Sequence, residues 1–233
     1  MKKIGLIGGI SWTSTIDYYK YINEGINAKL GGLNFADCII YSINFNDFQK
    51  NNVAYDWDAA FELLANAGRQ LKNAGAELLV LCANTAHIVA ERVAQEVQLP
   101  LIHIVKATGN EINKHGLNKV GLLGTEFVME MDFYKDNLIT QNIDPLIPRL
   151  KKDRDFIQTT LKLELSKGLI KQETKQRYIS IISDLIKEGA EGIILGCTEI
   201  PLIIQQKDVP VPVFDTTKIH SRAAVEFALG NGS

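Results

Sequence analysis

The chain of 233 residues contains few cysteines, six prolines and two tryptophans. Its three cysteines, Cys38, Cys82 and Cys197, are odd in number, widely spaced and without a CxxC pair. That spacing argues against a disulfide framework and against a structural zinc site. No lysine-centred cofactor motif is recognisable either. We therefore expect free thiols, no metal and no cofactor.

Long apolar runs and an excess of one charge are also lacking. The longest apolar stretches, such as residues 78–81 and 192–195, are far shorter than the roughly 20 residues that a membrane span needs. The formal net charge is −2, and the acids and bases are scattered, so no basic stripe is available for nucleic acid. Residues 1–3 lead directly into a glycine-rich segment rather than the apolar region of a signal peptide. We expect a cytoplasmic protein that binds neither nucleic acid nor membrane.

Hydrophobic residues make up 46% of the chain and are arranged in short β-branched runs that alternate with stretches of helical periodicity. This alternation predicts an α/β fold built from mostly parallel sheets flanked by helices. The clearest helices are predicted at residues 57–73 and 175–188. Strands are predicted at residues 3–7, 38–43, 77–82, 100–104, 120–123, 193–196 and 211–214.

An internal repeat organises these elements. Residues 3–9 (KIGLIGG) match residues 119–125 (KVGLLGT), and residues 75–81 (GAELLVL) match residues 189–195 (GAEGIIL). The repeat predicts two pseudosymmetric domains, which we place at residues 1–99 with 211–233 and at residues 100–210. Open parallel sheets bind ligands at the carboxyl ends of their strands. We therefore expect the active site in the cleft between the domains.

The matched strands end in small polar sequences, CANT at residues 82–85 and GCTE at residues 196–199. Aligning the strands residue by residue gives the pairs Ala83 and Cys197, Asn84 and Thr198, and Thr85 and Glu199. Cys82 lies one position earlier than the residue that pairs with Cys197. Since successive side chains of a strand point to opposite faces, Cys82 is expected to turn away from the cleft.

Four segments carry a resemblance to a known family: GGISW at residues 8–12, NTAH at 84–87, GLLGT at 121–125 and GCTE at 196–199. Over essentially the whole chain they resemble the aspartate/glutamate racemases. The resemblance implies an isomerase that acts on a small-molecule amino acid without pyridoxal phosphate, and a homodimer. It also implies a thiol from each domain on either side of the substrate α-carbon, one to remove the α-proton and one to return a proton to the opposite face.

Cys197 is the candidate catalytic residue. Proton removal beside a carboxylate creates a carbanion, so the site needs a base near the α-carbon and fixed donors for the developing charge. A thiol can serve as acid or base near neutral pH when a helix N-terminus favours its thiolate. Cys197 stands at a strand end before a helix-like segment at residues 200–205, which fits that requirement.

The second thiol of the family pattern is absent, because the residue before Asn84 is Ala83. Some acidic-amino-acid racemases resemble this arrangement, and arylmalonate decarboxylases of the same superfamily also work with one cysteine. Three functions therefore stay open. They are racemisation of an amino acid, aspartate or glutamate being preferred; decarboxylation or cis-trans isomerisation of a small dicarboxylate; and amino-acid binding without turnover.

Substrate-binding residues are predicted at the strand ends and in the turns of the resembling segments, namely Ser11, Ala83, Asn84, Thr85, Thr125, Thr198 and Glu199. The resemblance makes Glu199 a partner for the substrate ammonium, although Glu199 could instead cap the next helix. A second carboxylate would need a further donor, for which Gln49, Lys50 and Lys167 are the candidates. His87 follows Asn84 and Thr85 but has no reactive partner in the sequence, so we assign it no chemistry.

Overall fold

The computed structural model describes residues 1–230 as an alternating α/β chain. The strands are β1 (Ile4–Gly8), β2 (Cys38–Ser42), β3 (Leu78–Leu81), β4 (Leu101–Ile102), β5 (Lys119–Gly124), β6 (Asp144–Leu146), β7 (Gly192–Gly196) and β8 (Val213–Asp215). The helices are α1 (Trp12–Leu30), α2 (Phe45–Val53), α3 (Trp57–Asn73), α4 (Ala90–Val97), α5 (Ile104–Lys114), α6 (Glu126–Glu130), α7 (Asp132–Ile139), α8 (Lys151–Leu163), α9 (Gln172–Lys187) and α10 (Thr216–Ala228). Short 3-10 turns lie at Thr85–Val89, Leu165–Lys167, Ile200–Leu202 and Gln206–Asp208.

The strands form two parallel sheets of the same topology. The first has the order β2-β1-β3-β4 and the second the order β6-β5-β7-β8. Every recorded strand pairing in them is parallel. The α/β fold with two similar domains, predicted from the alternation and the repeat, is therefore confirmed.

Helix α3 shows how the sequence specifies these elements. The Asp56 side chain accepts a hydrogen bond from the backbone N–H of Ala59 at 2.9 Å and so caps the helix start. Leu64, Gly68 and Leu71 are buried along one face, as the helical spacing predicts. The exposed face carries polar groups, so the helix covers its sheet with one apolar stripe.

One strand was not predicted. Strand β6 has only three residues, includes Pro145 and lies at the edge of the second sheet. A proline cannot donate a backbone hydrogen bond to a neighbouring strand and is tolerated mainly at sheet edges, so the sequence carries little strand signal there.

The helix predicted at residues 175–188 begins earlier, at Gln172, and ends at Lys187.

The chain divides into two compact units, one formed by Met1–Ile104 with the segment from Thr217 onward, and the other by Val105–Thr216. The sequence-based boundaries fall a few residues earlier in both places. The difference concerns β4 and β8, because β4 pairs with β3 of the first unit and β8 pairs with β7 of the second.

Among the helices of residues 1–230, none combines the length and apolarity that crossing a bilayer demands.

Candidate active site

The candidate site in the second unit begins where β7 ends. The strand is buried along its whole length, and its central position between β5 and β8 fixes its carboxyl end. The next three residues, Cys197, Thr198 and Glu199, are all partly exposed. The Cys197 thiol donates a hydrogen bond to Glu199 Oε2 at 2.9 Å, and the Thr198 hydroxyl donates to the same oxygen at 2.8 Å.

This arrangement decides the protonation state of Cys197. Burial of the sulfur, the negative charge of Glu199 and the thiol–carboxylate hydrogen bond together raise the pKa of Cys197 well above its ordinary range. Backbone hydrogen bonds from Glu199 and Thr198 to the sulfur act in the opposite direction and lower the pKa. The raising causes dominate, so the pKa of Cys197 lies above its ordinary range, which favours the neutral thiol.

The helix predicted after Cys197 is not formed. Residues 200–205 were predicted to be helix-like, but only Ile200–Leu202 form a short 3-10 turn. Three residues do not build a helix dipole of useful size, so the thiolate gains no support from one. Glu199 stands at the start of this turn, yet its side chain makes no capping hydrogen bond and instead accepts from Cys197 and Thr198. The capping alternative for Glu199 is therefore wrong.

Sequence reasoning missed Tyr178 of α9. Tyr178 is fully buried in the apolar cluster against which Cys197 packs, and its hydroxyl lies 3.1 Å from Thr160 Oγ1. Burial raises the pKa of the Tyr178 phenol, and the negative charge of Glu164 acts in the same direction. The helical spacing predicted that the isoleucines of α9 are buried. Tyr178 lies on the same buried face, so its position could have been predicted from the same spacing.

Two other predicted residues of the second unit lie in different surroundings. Thr125 follows β5 and caps α6, since its Oγ1 accepts from the backbone N–H of Val128 at 3.3 Å. β5 pairs with β7, with Gly124 opposite Gly196, so Thr125 and Cys197 follow neighbouring strand ends. Lys167 is exposed at the end of the 3-10 turn that begins at Leu165.

In the first unit, Ser11 lies in the turn between β1 and α1. Its side chain accepts from the backbone N–H of Ser14 at 3.4 Å and so caps α1, and its hydroxyl lies 2.8 Å from Thr13 Oγ1. Ser14, which was not predicted, bonds with its hydroxyl to the carbonyl of Cys82 at 3.2 Å. This contact ties the start of α1 to the end of β3.

The end of β3 separates two neighbouring residues. Cys82 is fully buried with Tyr18, Ile22 and Val80 in one apolar cluster, whereas Ala83 is partly exposed and packs against another cluster. Burial raises the pKa of the Cys82 thiol. The thiol therefore lies in the core, away from the exposed end of the strand.

The segment after Ala83 forms a 3-10 turn that His87 anchors. Nδ1 of His87 lies 2.9 Å from the carbonyl oxygen of Ala83, and Nε2 accepts from the backbone N–H of Ile104 at 3.2 Å. Burial lowers the pKa of His87 to about 4, so the ring is neutral with its proton on Nδ1. Asn84 is buried and Thr85 is partly exposed in the same turn.

Two of the three candidates for binding a second carboxylate, Gln49 and Lys50, lie on α2. Gln49 is partly buried, whereas Lys50 is exposed and its amino group lies 3.9 Å from the Asp47 carboxylate. Their role in substrate binding stays a prediction. Within residues 1–230, no three His, Cys, Asp or Glu side chains are grouped so that they could hold a metal ion.

The structure defines an α/β protein of two units with the same sheet topology, and the second unit places the Cys197 thiol beside the Glu199 carboxylate at the end of a central strand. The chain belongs to the Asp/Glu/hydantoin racemase family, whose model matches residues 7–224.

Individual relatives agree with that membership. The chain is 44% identical to a Yersinia pestis protein assigned provisionally to the Asp/Glu racemases, with a TM-score of 0.93 over 98% of this chain and 100% of the other. It is 40% identical to an aspartate racemase homologue from Pyrococcus horikoshii OT3, with a TM-score of 0.86 and the same coverage. It is also 22% identical to the broad specificity amino-acid racemase RacX of Bacillus subtilis, over 95% of this chain and 96% of that one.

Proposed function

We propose that the protein racemises an amino acid, with aspartate or glutamate preferred, by removing and returning the α-proton at Cys197. One observation carries this proposal: a thiol at the carboxyl end of a central parallel strand, hydrogen-bonded to the Glu199 carboxylate at 2.9 Å. Family membership supports a racemase over other thiol chemistry. The names of the relatives support acidic amino acids as substrates, without choosing between aspartate and glutamate.

The reaction begins when the Cys197 thiolate takes the α-proton. The C–H bond breaks, its electron pair spreads into the substrate carboxylate, and the sulfur becomes a thiol. Fixed donors would stabilise the developing charge, and the Thr125 hydroxyl is a candidate in this unit. Thr198 is proposed to bind the substrate as well, and its hydroxyl can donate there only when it leaves Glu199. A proton then returns to the α-carbon, and return to the opposite face gives the other enantiomer.

The remaining assignments belong to the same proposal. Ser11, Ala83, Asn84 and Thr85 are proposed to face the substrate because their segments match those of the second unit and resemble the family pattern. Gln49 and Lys167 are proposed to bind a second carboxylate, and Glu199 the substrate ammonium. We also propose that the protein is a homodimer in the cytoplasm, which sedimentation velocity and cell fractionation would test.

The deciding experiment is α-proton exchange in deuterated water. Each enantiomer of aspartate, glutamate and a panel of neutral amino acids is incubated with the protein, and the α-proton signal is followed by NMR. We expect loss of that signal for an acidic amino acid, and no loss with Cys197→Ala. Absence of exchange for the whole panel, with folded protein, would overturn the proposal.

A second candidate function is decarboxylation of a small dicarboxylate. The observation that favours it is Ala83, which leaves Cys197 as the one cysteine at the matched strand ends. A single proton donor is enough when loss of carbon dioxide, rather than proton removal, creates the carbanion. Release of carbon dioxide from a disubstituted malonate would identify this reaction, since racemisation conserves mass.

A further inference from the structure

The Glu199 carboxylate is arranged around the Cys197 thiol. The thiol and the Thr198 hydroxyl both donate to Oε2, at 2.9 and 2.8 Å. Within residues 1–230, no lysine, arginine or histidine side chain forms an ion pair with Glu199. Its negative charge is therefore shared with two neutral donors and is not balanced by a cation.

Burial of the sulfur, the largest influence on its ionisation, disfavours the thiolate, and two further influences act on the sulfur in opposite directions. The carboxylate opposes thiolate formation, because loss of the thiol proton would place two negative charges side by side. The backbone N–H groups of Thr198 and Glu199 point at the sulfur and favour the thiolate. Among the described residues of the second unit, the other titratable group near Cys197 is Tyr178 on α9, whose pKa is raised by burial; Glu164, which follows α8, acts on that phenol. Within that unit, Glu199 is thus the one charge that acts on the thiol.

We propose that Glu199 keeps Cys197 a neutral thiol in the unliganded protein, and that a cation pairing with this carboxylate releases the thiolate. The cation is the ammonium group of the substrate, a step that rests on the proposed racemase function. When the ammonium pairs with Glu199, the S–H bond breaks, its electron pair stays on sulfur, and the proton passes to water. The backbone N–H groups then hold the thiolate.

This control by Glu199 would restrict the reactive thiolate of Cys197 to the complex with substrate. Thiolates are the species that oxidants and alkylating agents attack, so a resting thiol is protected. It also gives Glu199 a double use, since one carboxylate recognises the ammonium and controls the base. Glu199 is in this respect a positioning residue, which acts on the reaction through Cys197.

The first experiment measures thiol ionisation without substrate. Iodoacetamide modification of Cys197 is followed by mass spectrometry of the peptide that contains it, between about pH 6 and pH 10, in unmodified protein and in Glu199→Gln. We expect the midpoint to fall in Glu199→Gln by at least one pH unit, which makes modification at pH 7 about tenfold faster. An unchanged or raised midpoint would overturn the role of Glu199.

Two further variants separate charge from packing. Glu199→Asp keeps the charge, so its midpoint should stay near that of the unmodified protein. Thr198→Val removes only the hydroxyl bond to the same oxygen, and its midpoint should not fall. A fall in all three variants would show that any change in this turn loosens the site, and it would contradict the proposal.

The second measurement tests the release step. If the ammonium releases the thiolate, the rate of α-proton exchange at saturating substrate should reach half its maximum at a pH about one unit or more below the alkylation midpoint of the unliganded protein. Equal values would overturn release by the ammonium. Absence of exchange would overturn both the release step and the proposed function, while the alkylation comparison would still decide whether Glu199 holds the thiol proton.

Discussion

Cys82 and Ala83 are consecutive residues whose side chains lie on opposite faces of the first sheet. Cys82 shares an apolar cluster with Leu78 and Val80, whereas Ala83 packs with Leu79 and Leu81. This alternation is that of a regular strand continued past β3. The thiol that the family pattern would place before Asn84 is therefore absent from that face, although a cysteine stands one residue away.

The first prediction is that Cys82 takes no part in the reaction. Cys82→Ala removes a buried sulfur, so we expect the free energy of unfolding to fall by about 1 kcal/mol, measured in urea, because a small cavity remains. The α-proton exchange rate should stay within about twofold of the unmodified protein. Loss of exchange in a folded Cys82→Ala variant, with Cys197 still reactive, would show that the strand register differs in the working enzyme.

Much of this picture could be predicted from the sequence because the repeat and the strand period are strong local signals. Within residues 1–230, seven of the eight strands follow from short apolar runs, helix α3 from its helical spacing, and the direction of Cys82 from the repeat and the strand period. The edge strand β6 could not be predicted, because a three-residue strand containing Pro145 depends on its neighbour rather than on its own propensity.

The candidate site was less predictable. Thr198 and Glu199 were identified as site residues, but the hydrogen bond from the Cys197 thiol to Glu199 depends on side-chain rotamers. The segment after Cys197 has apolar residues at helical spacing, yet it forms only a 3-10 turn that includes Pro201. A sequence pattern does not show that the Glu199 side chain accepts hydrogen bonds from the two residues that precede it. The raised pKa of Cys197 depends on burial and on that side-chain contact, neither of which a sequence pattern shows.

The second prediction concerns stability in acid. Burial lowers the pKa of His87 from 6.5 to about 4; burial, followed by the neighbouring His87 charge, lowers that of His220 from 6.5 to about 3. The unfolded chain therefore takes up protons first as pH falls. The contribution of these histidines to the free energy of unfolding should be complete above about pH 6.5. Between about pH 6.5 and pH 4 the free energy of unfolding should fall by about 1.4 kcal/mol per pH unit for each histidine.

Urea unfolding between about pH 7.5 and pH 4.5 would measure this slope. In His220→Gln the slope should become smaller, since that residue no longer titrates, although the variant also loses the Tyr18 and Ile102 contacts of the ring. If His220→Gln leaves the slope of the unfolding free energy against pH unchanged, carboxylates rather than His220 cause the loss of stability in acid.

The third prediction concerns Gly196, the last residue of β7. A Cβ there would lie 2.8 Å from the carbonyl oxygen of Leu123 and 3.0 Å from Val128 Cγ1. Since the carbonyl belongs to the backbone of β5, it cannot move without disturbing the sheet. Gly196→Ala should lower the free energy of unfolding by about 1–3 kcal/mol and reduce exchange, because Cys197 moves with it. Gly116→Asn, at a left-handed position with open space around it, should cost little stability.

The fourth prediction is that activity needs neither metal nor pyridoxal phosphate. The cysteines are not spaced as metal ligands, and the described residues group no three metal-binding side chains. Dialysis against a chelator should leave the exchange rate unchanged, and added pyridoxal phosphate should not increase it. Activity that disappears on dialysis and returns only with added metal would contradict this prediction.

The last prediction follows from the single thiol. Inversion at carbon needs a group that takes the proton on one face and a group that supplies a proton on the other. In the proposed function Cys197 serves one face and the substrate's opposite face is next to Ala83, which offers no acid or base, so water or the Thr85 hydroxyl would have to act there. The enantiomer that presents its α-hydrogen to Cys197 should therefore exchange with deuterated water faster than it inverts, since a thiol can remove and return protons on the same side.

Separate time courses for the two enantiomers, with exchange followed by NMR and inversion by chiral chromatography, would measure that difference. Cys197→Ser should reduce exchange of the favoured enantiomer by about 10²- to 10⁴-fold, because a hydroxyl is a far weaker acid and base. If the partly exposed Ala83 faces the substrate as proposed, Ala83→Cys should speed inversion, because the new thiol could serve the opposite face. Equal exchange from both enantiomers in the unmodified protein would show that a second acid–base group already serves the opposite face, and Thr85→Val would then be the variant to identify it.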